Sequence, residues 1–399
     1  MNKNIKLAVA GAVLALSATA ANAGIIIPAG EWTLDVSGNV NSYAIWTHGS
    51  GAATVNGGLA AGKASTQASQ STGLLPNFLS VAGSSRQNDL DVTWLISINP
   101  GGYTPTALNG GSTNENRQAF MTFGDKSWGS IKIGKDLGIY ASDAILNDMT
   151  LLGVGAAGGA GGSANKTTTL GRIGTGFQYA DWKQQIAYTS PNFNGFQATV
   201  GITQAWSATS SSAGASLATT GQGGGSPAYE GKASYSFAAN DVTGKIWVSG
   251  VSQKMDGVAS GENNAYSADI GANLKVAGFD LTGYYYGGEG TGATTLFGDG
   301  YSKNGFKRSV DGGYVQAKYT LPTKTVVGIS WGQSNLDRAG NDLVGDNLLK
   351  TNEMWTAGIY HPLTKSVNLV AEFSNVKATN QANGENTQNV GSLGGILFF

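Results

Sequence analysis

Apolar and polar side chains alternate with a period of two along much of this chain. Between Tyr266 and Val276, apolar residues occupy the even positions, and Ser, Asp, Gly, Asn and Lys occupy the odd ones. Such alternation gives a strand one apolar and one polar face, whereas a helix would repeat about every 3.6 residues. The pattern recurs at positions 90–98, 196–202, 315–321 and 367–373. It predicts a chain built mainly from β-strands.

Segments of this kind number about sixteen, an even number, as closed bacterial barrels require. In the first half of the chain we predict strands at positions 32–46, 78–86, 90–98, 117–124, 129–135, 183–190, 196–203 and 229–237. In the second half we predict strands at positions 244–252, 265–276, 279–287, 313–320, 325–333, 353–361, 366–374 and 391–399.

The connections between these predicted strands alternate between short and long. Short connections fall at 87–89, 125–128, 191–195, 238–243, 277–278, 321–324 and 362–365. Long ones fall at 47–77, 99–116, 136–182, 204–228, 253–264, 288–312, 334–352 and 375–390. Outer-membrane barrels have short periplasmic turns and long external loops, whereas a soluble sandwich has no reason to alternate in this way. The order of short and long connections predicts that both termini lie in the periplasm.

The polar faces of the predicted strands repeatedly carry Asp, Glu, Lys, Gln and Asn. Because packing so many charges into a core is costly, we expect these faces to line a water-filled lumen and the apolar faces to contact lipid. A barrel of about 16 strands encloses a lumen wide enough for water and solutes. Closure also satisfies the backbone groups within the hydrocarbon. The predicted fold class is therefore all-β, a transmembrane antiparallel β-barrel.

The connection at 136–182 is the longest between predicted strands. It holds Asp136, Asp143 and Asp148, then a run of Gly and Ala at 153–162, then Lys166 and Arg172. Long loops inside compact domains are usually functional. We expect this third long loop to fold into the lumen and narrow the pore.

Positions 1–23 have the features of a secretory signal peptide. Lys3 and Lys6 are positive, positions 7–18 are apolar, and Ala-Asn-Ala at 21–23 is a cleavage signal. We expect removal of residues 1–23, which leaves a barrel domain at 24–399. The chain has net charge −1, 12% charged residues and no Cys. Near neutrality gives no sign of a nucleic-acid partner, and the lack of Cys excludes disulfides and thiolate metal sites.

Four stretches carry a resemblance to a known family. They are WGSIKIGKD at 128–136, IAYTSPNFNGF at 186–196, GIYHPLTKSV at 358–367 and the terminal ILFF at 396–399. With the signal peptide and the strand order, the chain resembles the general porins of Gram-negative proteobacteria over nearly its whole length. The resemblance implies a homotrimer of sixteen-stranded barrels whose third loop forms the constriction. It also implies that the C-terminal strand, ending at Phe399, is read by the barrel-assembly machinery.

In porins, acidic residues on the third loop face basic residues on the wall. Carried over, the resemblance makes Asp143 and Asp148 the acidic side, with Arg117 at the start of the fourth strand and Arg172 after the loop as basic residues. A Pro-Glu-Phe-Gly-like turn is absent from the loop, and the second strand has no Arg in its middle. The candidate residues of the constriction and lumen are Asp136, Asp143, Asp148, Arg117, Arg172, Lys132, Lys232, Lys275 and Lys318. Alternation also directs Glu230, Asp269 and Glu372 to the lumen. For each of these residues, the alternative interpretation is a solvated polar side chain without a role in selectivity.

Motifs for other functions fail on their context. Positions 328–332 match G-x-S-x-G, but Ser330 falls inside a predicted strand, whereas a nucleophile elbow needs a strand-to-helix turn. His48 and His361 are the two histidines of the chain, and neither has a partner at ligand spacing. We therefore expect no enzyme activity, no cofactor and no metal site.

The sequence thus predicts an outer-membrane porin for passive diffusion of small hydrophilic solutes and ions. Its surroundings would be outer-membrane lipid and lipopolysaccharide. Two alternatives stay open at this point: a substrate-selective channel of the same architecture, and a structural or adhesion barrel without meaningful conductance.

Overall fold

The computed structural model describes residues 24–63, 66–102, 114–158, 168–210, 215–216, 225–256, 261, 263–302, 305–340, 342 and 347–399. The predicted signal peptide at 1–23 lies outside the described residues. So do Lys166 and the last part of the Gly/Ala run, 159–162. Among the described residues, no helix is both long enough and apolar enough to cross a membrane.

Sixteen antiparallel strands form a closed barrel, which confirms the predicted fold class. The first eight strands are β1 Trp32–Ser50, β2 Phe78–Gln87, β3 Leu90–Pro100, β4 Ala119–Asp125, β5 Gly129–Leu137, β6 Trp182–Thr189, β7 Phe196–Thr203 and β8 Ala228–Ala239. The second eight are β9 Val242–Lys254, β10 Asn264–Val276, β11 Phe279–Glu289, β12 Ser309–Thr320, β13 Val326–Leu336, β14 Leu349–Pro362, β15 Val367–Asn380 and β16 Glu385–Phe398.

The barrel closes where β16 pairs with β1. Val40 lies opposite Leu397 in this pairing. Beyond the last paired residues, Gly38 and Phe399 exchange two backbone hydrogen bonds of 2.8 and 3.1 Å. The remaining described elements are short: strands Ile25–Ala29, Gln67–Ser71, Asn114–Glu115, Thr209–Ser210 and Ala215–Ser216, the helix α1 at Ser142–Asn147 and a 3₁₀ turn at Met149–Leu152.

The period-two pattern of the sequence becomes an outer and an inner face of the wall. Along β10, the apolar Tyr266 and Ile270 are exposed, while Ser267, Asp269 and Asn273 on the opposite face are buried. Exposed Ile, Val, Leu, Tyr and Trp side chains recur on the outer face of the other strands. An apolar outer band of this kind is what a barrel needs in contact with hydrocarbon.

The last two strands extend further than the alternation predicts. The connection expected at 375–390 is a turn of four residues, 381–384, because β15 continues to Asn380 and β16 begins at Glu385. Polar residues pair across this extension, and the Asn375 side-chain amide donates to Asn389 Oδ1 at 2.7 Å. Strands that rise above the hydrocarbon no longer need an apolar outer face, so alternation of polarity does not mark their ends. For the same reason the connection expected at 334–352 shortens to 337–348.

Large aromatic side chains cover glycines on the neighbouring strand. Trp247 of β9 lies directly across from Gly271 of β10, and a Cβ atom on Gly271 would stand 2.1 Å from the indole ring. The pairs Trp94 with Gly83, Phe237 with Gly244 and Tyr43 with Gly394 repeat this arrangement. Glycine is required at these positions because the ring occupies the space of the missing side chain.

We expect Gly271→Val to lower the free energy of unfolding by about 1–3 kcal/mol, since the new side chain displaces the buried Trp247. Urea unfolding of the refolded barrel in lipid, followed by tryptophan fluorescence, measures this change. Gly283→Val on β11 is the matched control, because no atom lies within 4 Å of its Cβ position. Equal stability of the two variants would contradict the assigned role of Gly271.

Candidate functional site

The described residues of the connection between β5 and β6, 138–158 and 168–181, run along the inside of the barrel, and we name them the inner loop. Its backbone is hydrogen-bonded to side chains far along the chain. The Ala141 N–H donates to Ser249 of β9, the Met149 N–H to Gln316 of β12, and the Leu152 carbonyl accepts from Tyr43 of β1. The inner loop therefore lies against most of the wall from β8 round to β1.

Two wall carboxylates hold residues 138–158 of the inner loop, which we name its outgoing arm. Glu230 of β8 accepts the N–H groups of Ile139 and Tyr140 at 2.8 and 2.9 Å. Glu372 of β15 accepts those of Val154 and Gly155 at 2.7 and 2.9 Å. Hydrogen bonds to a charged acceptor are about twice as strong as neutral ones. Each carboxylate satisfies two consecutive backbone donors that have no partner in regular secondary structure.

The two carboxylates differ in their other partners. Glu230 Oε1 receives Lys183 Nζ at 2.5 Å and the Thr203 hydroxyl at 3.0 Å. Glu372 Oε1 receives the Tyr360 hydroxyl at 2.5 Å. All of these partners belong to strands of the wall and are buried, so the contacts do not border open water.

Apolar packing reinforces these hydrogen bonds. From the inner loop, Ile145, Met149 and Phe177 are buried in one cluster with wall residues that point inward, among them Trp247 and Tyr314. Alternation alone predicts a uniformly polar inner face, but the structure shows apolar side chains on part of it. Where the loop docks, the wall offers aromatic side chains, and burying them against the loop removes apolar surface from water.

Asp143, in the first turn of α1, lies between two lysines of the wall. Lys232 Nζ of β8 is 2.9 Å from Asp143 Oδ2, and Lys245 Nζ of β9 contacts Oδ1. Burial acts to raise the pKa of the Asp143 carboxyl, but the two ammonium groups outweigh it and hold that pKa below its ordinary value. Asp143 is therefore ionised at neutral pH and ties the helix to the wall.

Asp148 and Arg172 are buried within the inner loop, contrary to the expectation that they line the passage. The Asp148 side chain caps the 3₁₀ turn by accepting the Thr150 N–H at 3.1 Å, and its carboxylate lies 3.7 Å from Arg172 Nε. Arg172 Nη1 donates to the Met354 carbonyl of β14 at 3.0 Å. Burial raises the pKa of Asp148 and lowers that of Arg172. Sequence spacing cannot reveal this pairing, which depends on how the loop folds back on itself.

Asp136 and Arg117 also differ in position from the expectation. Asp136 belongs to β5, is buried, and accepts hydrogen bonds from Lys132 Nζ and, at 3.0 Å, from Gln118 Nε2. Arg117 precedes β4 and does not open it. Its guanidinium is paired with Glu115 at 2.9 Å and stands 5.9 Å from the centre of the Trp182 ring.

Each of the wall lysines named here is more exposed than the aspartate it contacts. The side chains of Lys132, Lys232, Lys245, Lys275 and Lys318 are 23–53% exposed, while those of Asp136, Asp143 and Asp148 are at most 5% exposed. Lys275 and Lys318 flank Asp280, with Nζ to Oδ2 distances of 3.8 and 3.0 Å. Sequence reasoning missed Lys245 and Asp280. The alternation of Thr243, Lys245 and Trp247 on one face of β9 would have identified the lysine.

We expect Glu372→Gln to loosen the inner loop, because the Val154 and Gly155 N–H groups lose their charged acceptor and an amide NH2 replaces the oxygen that accepts the Tyr360 hydroxyl, at a cost of about 1–3 kcal/mol. Single-channel recordings should show increased current noise, and limited proteolysis should cut the loop sooner. Glu385→Gln is the control, since Glu385 is paired with Lys377 on the exposed rim. Unchanged noise and proteolysis in Glu372→Gln would contradict the anchoring role.

Comparison with solved structures identifies the architecture. The outer membrane channel DcaP of Acinetobacter baumannii is 15% identical, with a TM-score of 0.68 over 93% of this chain and 99% of that one. The anion-selective porin from Comamonas acidovorans is 14% identical, with a TM-score of 0.63 over 92% and 100%. OmpF of Salmonella typhi, in a complex with daunomycin, is 14% identical, with a TM-score of 0.59 over 94% and 100%. At these identities the likeness concerns the fold alone.

Sequence comparison gives the family. No curated protein matches the chain. A family model described as Gram-negative porin, however, matches residues 8–381, which is most of the sequence. The chain thus belongs to the Gram-negative porin family and forms an outer-membrane channel for the diffusion of small solutes.

Proposed function

We propose that this protein is a general porin whose passage favours anions over cations. The observation that carries the proposal is the unequal exposure of charge beside the inner loop. The side chains of Lys232 and Lys245 are 23% and 33% exposed, whereas that of Asp143 between them is 5% exposed. Charged side chains that line a pore set its ion preference. An anion crossing the lumen therefore meets reachable positive charge.

The constriction in this proposal lies between the outgoing arm of the inner loop and the wall that carries the lysines. Lys132, Lys232, Lys275 and Lys318 keep their proposed place in the lumen. Asp136, Asp143, Asp148 and Arg172 act instead as buried groups that set the position of the loop, and Arg117 is paired at the mouth with Glu115. The similar structure from Comamonas acidovorans is described as an anion-selective porin, which is compatible with the proposal.

The same proposal includes a homotrimer with periplasmic termini and a signal peptide removed after Ala23. Family membership supports the trimer, and the turns of β2–β3 and β10–β11 are short on the side where both termini lie. The outer apolar band would contact lipid and lipopolysaccharide. Phe399, whose backbone closes the barrel against Gly38, would also serve the barrel-assembly machinery.

A hydrolase function has no support in the geometry around Ser330. This serine lies within β13, directly opposite Thr356 of β14, and not at a strand-to-helix turn. The His361 ring Nδ1 is 2.9 Å from the Thr325 hydroxyl. These positions favour a channel that carries out no chemistry on its solutes.

The proposal is tested by recording the refolded protein in planar bilayers under a KCl gradient. We expect stable conductance steps in groups of three and a reversal potential of the sign given by chloride permeation. Asp143→Asn should shift that potential further in the same direction, because it removes the negative charge that partly neutralises Lys232 and Lys245. A reversal potential with the sign of potassium permeation would contradict the anion preference.

Deletion of Phe399 should lower the yield of trimer in the outer membrane, because it removes both the terminal aromatic residue and the backbone contacts to Gly38. Phe399→Tyr, which keeps the ring and those contacts, is the control. Refolding of the purified deletion variant in detergent separates the two effects. Failure in cells together with normal refolding indicates a lost assembly signal, and a normal trimer yield in cells would sink the assembly role.

A further inference from the structure

Four lysines of the inner wall share two aspartates, Asp143 of the inner loop and Asp280 of β11. Lys232 of β8 and Lys245 of β9 both contact Asp143, as described above. Lys275 of β10 and Lys318 of β12 lie on either side of Asp280 in β11, and the three residues are direct cross-strand neighbours. Each aspartate thus serves two ammonium groups.

Asn273 joins the two halves into one surface. It lies directly opposite Lys245 in the pairing of β9 with β10. Its side-chain amide donates to Asp280 Oδ1 at 2.6 Å. Directly opposed residues in a sheet have Cβ atoms about 4.5–5.5 Å apart, and diagonal neighbours about 7–8 Å. We name Lys232, Lys245, Lys275 and Lys318, with their two aspartates and Asn273, the lysine patch.

The lysine patch carries an excess of two positive charges, since four lysines face two carboxylates. An ammonium group has three donors, and one shared carboxylate cannot occupy all of them on two lysines. Lys232 Nζ also donates to Ser142 Oγ at 2.9 Å. The four lysine side chains are 23–53% exposed, so donors that these groups do not engage can turn toward the lumen. Asp143 is held by the inner loop, and its negative charge therefore stays in place when a solute approaches.

We propose that the lysine patch is a binding site for small oxyanions that carry two negative charges, the class that includes sulfate, hydrogen phosphate and short dicarboxylates. A dianion matches the excess charge of the patch and offers several acceptor oxygens to its N–H donors. A monovalent halide carries half the charge and is held less well. The site rests on the proposed function, because it requires a water-filled lumen through which such anions reach the patch.

We expect anion binding at the lysine patch to be weak because its charges are partly exposed, and weak binding is what a channel requires. Exposed charges are screened by salt, and conduction needs a site that attracts an ion yet releases it. The expected behaviour is saturable passage: a dianion occupies the patch, slows the chloride current while it is bound, and then leaves. A general pore without the site would show no saturation.

The experiment records single-channel current in KCl while sodium sulfate is added at constant ionic strength. We expect a saturable reduction of the chloride current. The double variant Lys245→Gln/Lys318→Gln removes one lysine from each half and cancels the excess charge, so the sulfate concentration at half block should rise about tenfold or more. Lys365→Gln, in the exposed turn between β14 and β15, is the matched control and should behave as wild type.

Lys275→Gln is a second variant, chosen because this lysine is the most exposed of the four and its loss disturbs packing least. It should raise the half-blocking concentration by a smaller factor. Isothermal titration of folded protein with sulfate supplies a readout that does not need conductance. Sulfate binding that the double variant loses supports the site even where the channel proposal fails.

Two results would overturn the site while leaving the channel proposal intact. One is a wild-type anion-preferring current that falls without saturation as sulfate is added. The other is a half-blocking concentration that is the same in wild type and in both patch variants. Replacing sulfate by succinate then separates inorganic oxyanions from dicarboxylates, because equal block by both shows that charge and not shape governs binding.

Discussion

The arrangement of the channel depends on how the wall satisfies the backbone of a loop that lies inside it. A segment that leaves the sheet carries N–H groups without regular partners, and burying them unpaired is costly. Glu230 and Glu372 meet this requirement at two points of the inner loop, 139–140 and 154–155. Between these anchors, α1 and the 3₁₀ turn satisfy part of their own backbone, and the Ala141 and Met149 N–H groups donate to wall side chains. The loop can therefore cross the lumen from β8 to β15 and still expose little unpaired backbone.

This anchoring determines which charges remain for solutes. Carboxylates that accept backbone N–H groups or cap a turn, as Glu230, Glu372 and Asp148 do, are withdrawn from water. Lys232 and Lys245 have long flexible side chains, so they reach the buried Asp143 carboxylate and keep part of their surface in the lumen. The same acidic residues that would suggest a cation passage from sequence thus act as attachment points. The charge exposed in the lumen therefore depends on which side chains are used to bind the backbone of the inner loop.

Sequence alone reveals the wall far better than the site. A strand such as β10 alternates because lipid and water face its two sides, and a period of two is visible without any knowledge of neighbours. Where that constraint ends, from Asn375 onward in β15, the outward side chains become polar while Val376 and Ala378 point inward, so the strand continues with its pattern inverted. The glutamate anchors are even harder to predict from sequence, because Glu372 and Val154 are 218 residues apart. No local rule links a glutamate in one strand to two N–H groups in a distant loop.

The case of Asp143 and Asp148 shows what a family resemblance transfers and what it does not. Both are acidic residues of the third loop, five positions apart, yet one is bound to two partly exposed wall lysines and the other is enclosed with Arg172. The difference arises because α1 presents Asp143 toward β8 and β9, whereas Asp148 begins the 3₁₀ turn and must face its own backbone. The position of the loop therefore follows from the barrel architecture, but the exposure and the partners of each charged side chain depend on local helical geometry. Selectivity in such a barrel can change through the loop's internal fold while the wall and its strands stay the same.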